Sequence, residues 1–543
     1  ERMLSDPSRL LEAQSEYYQN MMNLWQWTAQ RMQGEETPPV IQPEPGDKRF
    51  KDETWSENPY FEFLKQAYLL SARSILHSVR DAKEGLDAKT AEKVDFYTRQ
   101  YLDALSPTNF PQTNPRVLRT TMESGGENLL KGLEHLLEDL NRGRGELRIR
   151  MTDLEAFRLG ENIAVTPGKV IFQTPLMQLI QYTPTTEQVY QRPLLIVPPW
   201  INKYYILDLK PKNSFIKWAV DQGFTVFVIS WVNPDESLAD RDFEDYLLEG
   251  TLAALEAVEK ITGEKEVNTI GYCIGGTLLM CTLGYLAATG QEDRVKSATF
   301  FTTLIDFTDV GELSVFIDEE QVELMEQQME RQGYLEGSQM ANVFNMLRAN
   351  DLIWSFYVNN YLLGKEPMAF DLLYWNSDST RMPRKMHSFY LRNMYLNNRL
   401  REPGGIDLAG EPIDLRKIRT PQYFVSTRED HIAPWKGTYR GVHLTNGQVK
   451  FVLGGSGHIA GVVNPPDRNK YGYWTYGKLP DTPDEWLNNA SYNEGSWWPD
   501  WLAWVKRRAG KEVPARVPGD GPFDPIEDAP GSYVKMRIDK PAE

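Results

Sequence analysis

One cysteine stands between two glycines in Gly271-Tyr272-Cys273-Ile274-Gly275, and an aspartate and a histidine follow it downstream. A thiol becomes a working nucleophile when a nearby base takes its proton and a carboxylate orients that base. The chain has 6 histidines: His77, His135, His387, His431, His443 and His458. Only His458 directly follows the last apolar run of strand type, Val449–Leu453, across GGSG. His77 and His135 precede the nucleophile in a helical region, and His387 lies in a long insertion. His443 sits in a helix-like stretch, and His431 adjoins Asp430 and should point elsewhere. Asp430 comes just after the apolar run Gln422–Ser426 and is the expected orienting acid. Asp306, which ends FFTTLIDF, is the competing candidate; Glu429 should face away. The negative oxygen that forms during acyl transfer needs backbone N–H donors. One is expected from Ile274 and another from the loop Pro199-Trp200-Ile201-Asn202. Proline has no N–H, so Trp200 or Ile201 should supply it.

These residues need elements to hold them. The apolar run Val267–Ile270, the Gly-flanked turn and an apolar helical segment after it form the strand–elbow–helix pattern of an α/β-hydrolase. Small residues flank the nucleophile because the turn is tight. The helix N-terminus favours a thiolate. A buried structural cysteine is the plain alternative for this motif taken alone. Further apolar runs at Lys169–Tyr182, Pro193–Pro198, Thr225–Trp231, Val295–Phe300 and Gln422–Ser426 alternate with helix-like segments such as Asp245–Ile261. Such alternation implies an α/β fold with a mostly parallel sheet covered on both faces. Trp497, Trp501 and Trp504, at helical spacing, are expected in the core. The choice of cysteine is informative. A thiolate that attacks a thioester yields another thioester, so the acyl group stays activated for transfer to an alcohol. The cysteine therefore points to acyl transfer from a CoA-type thioester, with His458 as base for the thiol and then for the acceptor hydroxyl.

The first part of the chain reads as a separate helical region, residues 1–150. Leu11, Tyr18, Met22, Trp25, Ala29 and Met32 form a one-sided stripe, expected to pack against a partner or the main domain; a lipid or hydrophobic-polymer surface is the alternative. A Pro-rich linker follows from Gly34 to Asp52. Further helices are expected from Pro59, across Asp87–Leu105, and near Asn128–Leu140 with its leucines Leu130, Leu133, Leu137 and Leu140. Residues 151–543 then form the catalytic domain, with a cap or lid insertion at about 307–419 that shows no clear strand.

The 543 residues suffice for two or three domains. The net charge of -17 argues against nucleic acid. No run of about 18 apolar residues predicts a membrane span. The start, ERMLSDPSRLLEAQ, lacks the apolar core of a signal peptide and an initiator Met, so a trimmed N-terminus and a cytoplasmic location are expected. Cys273 and Cys281, the 2 cysteines, would lie roughly 12 Å apart along one helix, too far for a disulfide. No Cys/His metal cluster or Walker sequence is present, and no metal or bound cofactor is expected.

Six segments carry a resemblance: IVPPWINKYYILDL (196–209), VFVISWVNPD (226–235), GYCIGGTLL (271–279), DLLYWNSDSTRMP (371–383), DHIAPW (430–435) and GGSGHIAGVVNPP (454–466). The sequence resembles the class I polyhydroxyalkanoate synthases of the α/β-hydrolase superfamily. The resemblance implies Cys273, Asp430 and His458 as catalytic residues. It implies polymerisation of (R)-3-hydroxyacyl-CoA, 3-hydroxybutyryl-CoA first among candidates, with release of CoA. It also implies a homodimer at cytoplasmic polyester granules, with the growing chain and granule-associated proteins as partners. Asn202 is a candidate CoA contact. Trp375 either lines the acyl tunnel or packs. Ala460 should lie near the acyl pocket. A cysteine-elbow thioesterase, esterase or depolymerase is the alternative activity, and a non-catalytic binding protein of the same fold is a third reading.

Overall fold

The computed structural model describes residues 7–81 and 86–538. The reading of the chain's first residues as lacking an export signal falls partly outside them. Two compact units result. One runs to Asp153 and includes Phe344–Met368; the other comprises Leu154–Val343 and the chain from Ala369 onward.

In the first unit, α1 (Pro7–Met32) packs on α2 (Pro59–Asp81), and α3 (Ala88–Ala104), α4 (Pro115–Glu123) and α5 (Glu127–Arg142) follow. The starts are chemically marked. The Asp87 carboxylate accepts from the N–H of Thr90, and Asn114 accepts from Arg116 and Val117 just before Pro115. Leu24 and Trp27 of α1 pack with Leu70 and Ile41. The expected stripe is left uncovered by this chain: Leu11, Tyr18, Met22, Trp25 and Met32 are exposed. In α5, Leu130, Leu133 and Leu137 are exposed as well, while Asn128, Gly132, His135 and Asp139 are buried. The reason is the neighbour of that face. The stretch 357–362 brings backbone polar groups, which must be satisfied when buried. Asn128 donates to the Leu362 carbonyl at 2.8 Å, and the Tyr361 hydroxyl donates to Asp139 at 2.6 Å. A Cβ at Gly132 would lie 1.8 Å from the Tyr361 carbonyl oxygen, so only glycine fits. These contacts also correct the expected boundaries. Residues 344–368, read from sequence as cap, group with the helical unit, which ends at Asp153 rather than 150.

The second unit is built on an 11-stranded sheet. Its strands are β1 (Gly168–Gln173), β2 (Met177–Tyr182), β3 (Leu194–Val197), β4 (Val226–Trp231), β5 (Val267–Tyr272), β6 (Val295–Phe301), β7 (Gln422–Thr427), β8 (Val449–Gly454), β9 (Tyr473–Thr475), β10 (Ser491–Asn493) and β11 (Glu527–Asp528). Their order is β10-β9-β8-β7-β6-β5-β3-β4-β2-β1-β11. The run from β8 to β4 is parallel, and antiparallel strands finish both edges. β3, β4, β5 and β7 are buried along their whole length, as expected of strands covered on both faces. Helix α6 (Ile274–Ala288) is buried from Ile274 through Gly284, so it is apolar all round rather than on one stripe. On the opposite face Trp497, Trp498 and Trp501 are fully buried around α7 (Trp498–Lys506). The insertion after β6 does hold strands: residues 334–335 pair with 382–383, and 407–408 with 411–412. Pairs two residues long leave no alternation for a sequence reading to detect.

Candidate active site

Cys273 occupies the turn between β5 and α6 with φ 53° and ψ −125°, a strained conformation for a residue with a side chain. Its N–H donates to the Phe301 carbonyl at 2.9 Å, and its own carbonyl accepts from Gly276 at 2.9 Å. The glycines of the motif are forced by contact. A Cβ at Gly275 would come within 2.3 Å of the Val197 oxygen and 2.5 Å of the Pro198 oxygen. One at Gly271 would meet the Gly276 Cα at 2.4 Å. The elbow therefore lies directly against the loop that leaves β3.

β7 and β8 are parallel neighbours with Thr427 opposite Gly454, so the loops after them emerge side by side. One carries Asp430 and the other His458. His458 Nδ1 and Asp430 Oδ2 are 2.6 Å apart. A carboxylate only accepts, so Nδ1 carries the proton and Nε2 is left for the thiol. The other carboxylate oxygen, Oδ1, accepts from the N–H groups of Ile432 and Ala433, each at 2.8 Å. The Tyr272 hydroxyl donates to the His458 carbonyl at 3.0 Å, tying the loop of His458 to the strand before Cys273. Burial alone would lower the pKa of His458. The negative charge of Asp430 and its hydrogen bond, with the charge of Cys273 close by, outweigh it and raise the value to about 10. Cys273, His458 and Asp430 are thus brought together in one buried constellation, with Cys273 half-buried.

Asp306 is committed elsewhere. It accepts from Thr308 and Asn398 and pairs with Arg401 at 3.2 Å. Burial pushes its pKa up, but these partners prevail and hold it below the usual carboxylate value. Cys281 is fully buried, and burial pushes its thiol pKa far up, so it is inert. Among the described residues, the N–H groups of Trp200, Ile201 and Ile274 have no acceptor. Tyr390 and Tyr395 were not singled out from sequence. Their rings pack edge to face with centroids 5.4 Å apart, and both phenols lie within electrostatic reach of Cys273. Burial chiefly, and negative charge at the nucleophile in addition, raise both pKa values. They are five positions apart across a π-helical turn, Leu391–Leu396, a spacing that an α-helical period does not reveal.

The geometry has counterparts in known proteins. A model described as the N-terminus of poly-beta-hydroxybutyrate polymerase matches residues 46–219, and an alpha/beta hydrolase fold model matches residues 193–465. The chain is 55% identical to the poly(3-hydroxyalkanoate) polymerase subunit PhaC of Rhizobium meliloti (strain 1021), over 99% of this chain and 87% of that one. It is 54% identical to the poly(3-hydroxyalkanoate) polymerase of Methylorubrum extorquens, over 99% and 88%. Identity to PhaC of Cupriavidus necator is 44%, over 98% and 89%. This chain belongs to the poly(3-hydroxyalkanoate) polymerase family.

For a polymerase of this family, the remaining expected residues are placed as follows. Trp375 is buried, and its indole N–H donates to the Lys203 carbonyl at 2.7 Å, so the ring packs against the loop after β3. The Asn202 side-chain oxygen accepts from the N–H of Lys203 at 2.8 Å, which turns that oxygen back onto the loop. Ala460 is half-buried two positions beyond His458. No helix among the described residues is long and apolar enough to cross a membrane.

Proposed function

We propose that this chain joins (R)-3-hydroxyacyl groups, 3-hydroxybutyryl first among them, from CoA thioesters into a polyester through an acyl thioester on Cys273. The observation that carries this reading is the elbow cysteine with His458 behind it and Asp430 behind His458. His458, whose raised pKa keeps the ring protonated, has already taken the thiol proton at Nε2 when the sulfur attacks the thioester carbonyl. The bond between that carbonyl and the CoA sulfur breaks, and CoA leaves with the proton from His458. In the second half, His458 accepts the proton of a chain-end hydroxyl. The hydroxyl oxygen attacks the acyl carbonyl, an ester bond forms, and the carbon–sulfur bond to Cys273 breaks. Asp430 holds the ring in one tautomer throughout and stabilises the imidazolium. Backbone N–H groups of Ile274 and of Trp200 or Ile201 receive the oxyanion in both halves. Asn202 serves the CoA end of the substrate and Ala460 borders the acyl pocket; Trp375 supports the loop rather than lining a tunnel. Strain at Cys273 and its position at a helix start suit a nucleophile better than a structural thiol.

The proposal extends to a homodimer at the surface of cytoplasmic polyester granules, with granule-associated proteins as neighbours. The exposed apolar residues of α1 and α5 support contact with such a surface. The test of the activity is incubation with (R)-3-hydroxybutyryl-CoA, following CoA release and product together. Insoluble polyester is expected from the wild type and none from Cys273→Ala. CoA release with only free 3-hydroxybutyrate would make the enzyme a thioesterase. Turnover surviving in Cys273→Ala would remove the cysteine from the mechanism.

A further inference from the structure

Two stretches of the sequence, PPWINK and DLLYWNSDST, meet in space, and beyond Trp375 the chemistry described above gives the second no task. The loop 199–203 is gripped by it. The Thr380 hydroxyl donates to the Trp200 carbonyl, and the Thr380 N–H donates to the Ile201 carbonyl at 3.3 Å. Asn202 and Ser379 form an isolated antiparallel bridge. At the end of the loop, Lys203 Nζ lies 2.8 Å from Asp378 Oδ1, with both side chains almost fully buried. The same ammonium donates to the Val534 and Met536 carbonyls at 2.7 and 2.8 Å, and the Tyr205 hydroxyl donates to Asp378 at 3.0 Å. A buried ion pair of this kind fixes geometry more than it adds stability.

The consequence lies in the peptide between Trp200 and Ile201. A peptide bond is planar and trans, so the carbonyl of Trp200 and the N–H of Ile201 point in opposite directions. Holding the carbonyl fixes the N–H. That N–H has no acceptor among the described residues, and the loop carrying it lies against the elbow at Gly275. We propose that Thr380 is a positioning residue that aims the Ile201 N–H at the oxyanion, and that the Lys203–Asp378 pair keeps the two segments in register. The proposal rests on the reading of Cys273 as the nucleophile. As sulfur attacks, the carbonyl π electrons move onto oxygen and the aimed N–H receives them; as the tetrahedral adduct collapses, CoA leaves and the oxygen loses its charge.

A purely structural hydroxyl would satisfy a buried carbonyl and nothing more, and kinetics separate the two roles. Alkylation of Cys273 by iodoacetamide displaces iodide at a tetrahedral carbon and creates no oxyanion, whereas acylation by (R)-3-hydroxybutyryl-CoA does. Thr380→Val keeps the shape and removes the donor. Single-turnover acylation should slow by about ten- to a hundred-fold, short of the roughly hundred- to thousand-fold effect of losing one oxyanion donor outright, because the N–H is misaimed and not removed. KM and the alkylation rate should stay within about two-fold of wild type, and Thr380→Ser should recover most of the acylation rate. Unchanged acylation in Thr380→Val, or acylation and alkylation falling together, overturns the proposal. Thr380→Ala carries the same test should the valine variant not fold. Failure of the nucleophile reading is separately visible, because Cys273→Ala would then still be acylated.

Discussion

His458 carries the most perturbed charge of the constellation. Its ring is buried, which opposes protonation, yet Asp430 and the charge of Cys273 hold the proton up to about pH 10. An unfolded histidine loses its proton near pH 6.5. Below that value both states are protonated and the stabilisation from the pair is fully present. Between about 6.5 and 10 the folded state keeps a proton that the unfolded state has released, so stability falls as pH rises through this window. The unfolding midpoint in urea should therefore decline between pH 7 and 10 in the wild type and decline less in His458→Gln. Parallel curves for the two proteins would show that the proton is not held in the folded state. The same charge arrangement lets one ring accept the thiol proton and later the hydroxyl proton without leaving its place.

The helix Arg384–Tyr390 in the insertion shows the opposite case. His387 is fully buried, and neither ring nitrogen has a partner among the described residues. Burial alone lowers its pKa to about 4. The unfolded state thus takes up a proton between about pH 6.5 and 4 that the folded state refuses, and stability is lost as pH falls through that range. His387→Leu removes both the unpaired nitrogens and the titration. It should unfold less readily than wild type at pH 4.5 and show little difference at pH 8, read by thermal melting; a variant equally sensitive to acid would place the weakness elsewhere. Elements of this kind also mark what the sequence could and could not reveal. The convergence of Cys273, Asp430 and His458 was legible because each follows a strand of ordinary length, and the turn at Cys273 because Gly271 and Gly275 are required by backbone contact. The grouping of residues 344–368 with the helical unit was not legible, since it depends on Asn128 and Gly132 meeting backbone, and Asp139 the Tyr361 hydroxyl, more than 200 positions away. The role of Thr380 was hidden for the same reason: a lone threonine in a polar stretch has no periodic signature.

At the scale of the whole catalytic unit, the base is held from two directions. Asp430 and Tyr272 hold it from the sheet, and the carboxyl-terminal helix α7 holds the chain that continues from it. The Trp497 indole donates to the Gly461 carbonyl at 2.8 Å and the Trp498 indole to the Val462 carbonyl at 2.9 Å, three and four residues beyond His458. Trp501, one turn along, donates instead to Thr299 on β6 at 2.9 Å. These rings pack with Phe215 on the sheet face away from α6, so a segment forty residues downstream sets where the histidine loop can lie. Trp498→Phe keeps an aromatic ring and removes the donor, leaving the Val462 carbonyl with the N–H of Asn464 alone, at a cost of about 0.5–1.5 kcal/mol. Trp501→Phe should cost a similar amount. The two should part in catalysis. A shifted histidine loop degrades alignment with Cys273, so Trp498→Phe should lower kcat by several-fold. Trp501→Phe, which removes a bond to Thr299 on β6 and none to the histidine loop, should leave kcat near wild type. Measured together by urea unfolding and CoA release, equal kcat losses would mean that α7 supports the sheet as a whole, and a loss confined to Trp498→Phe would mean that it supports the base.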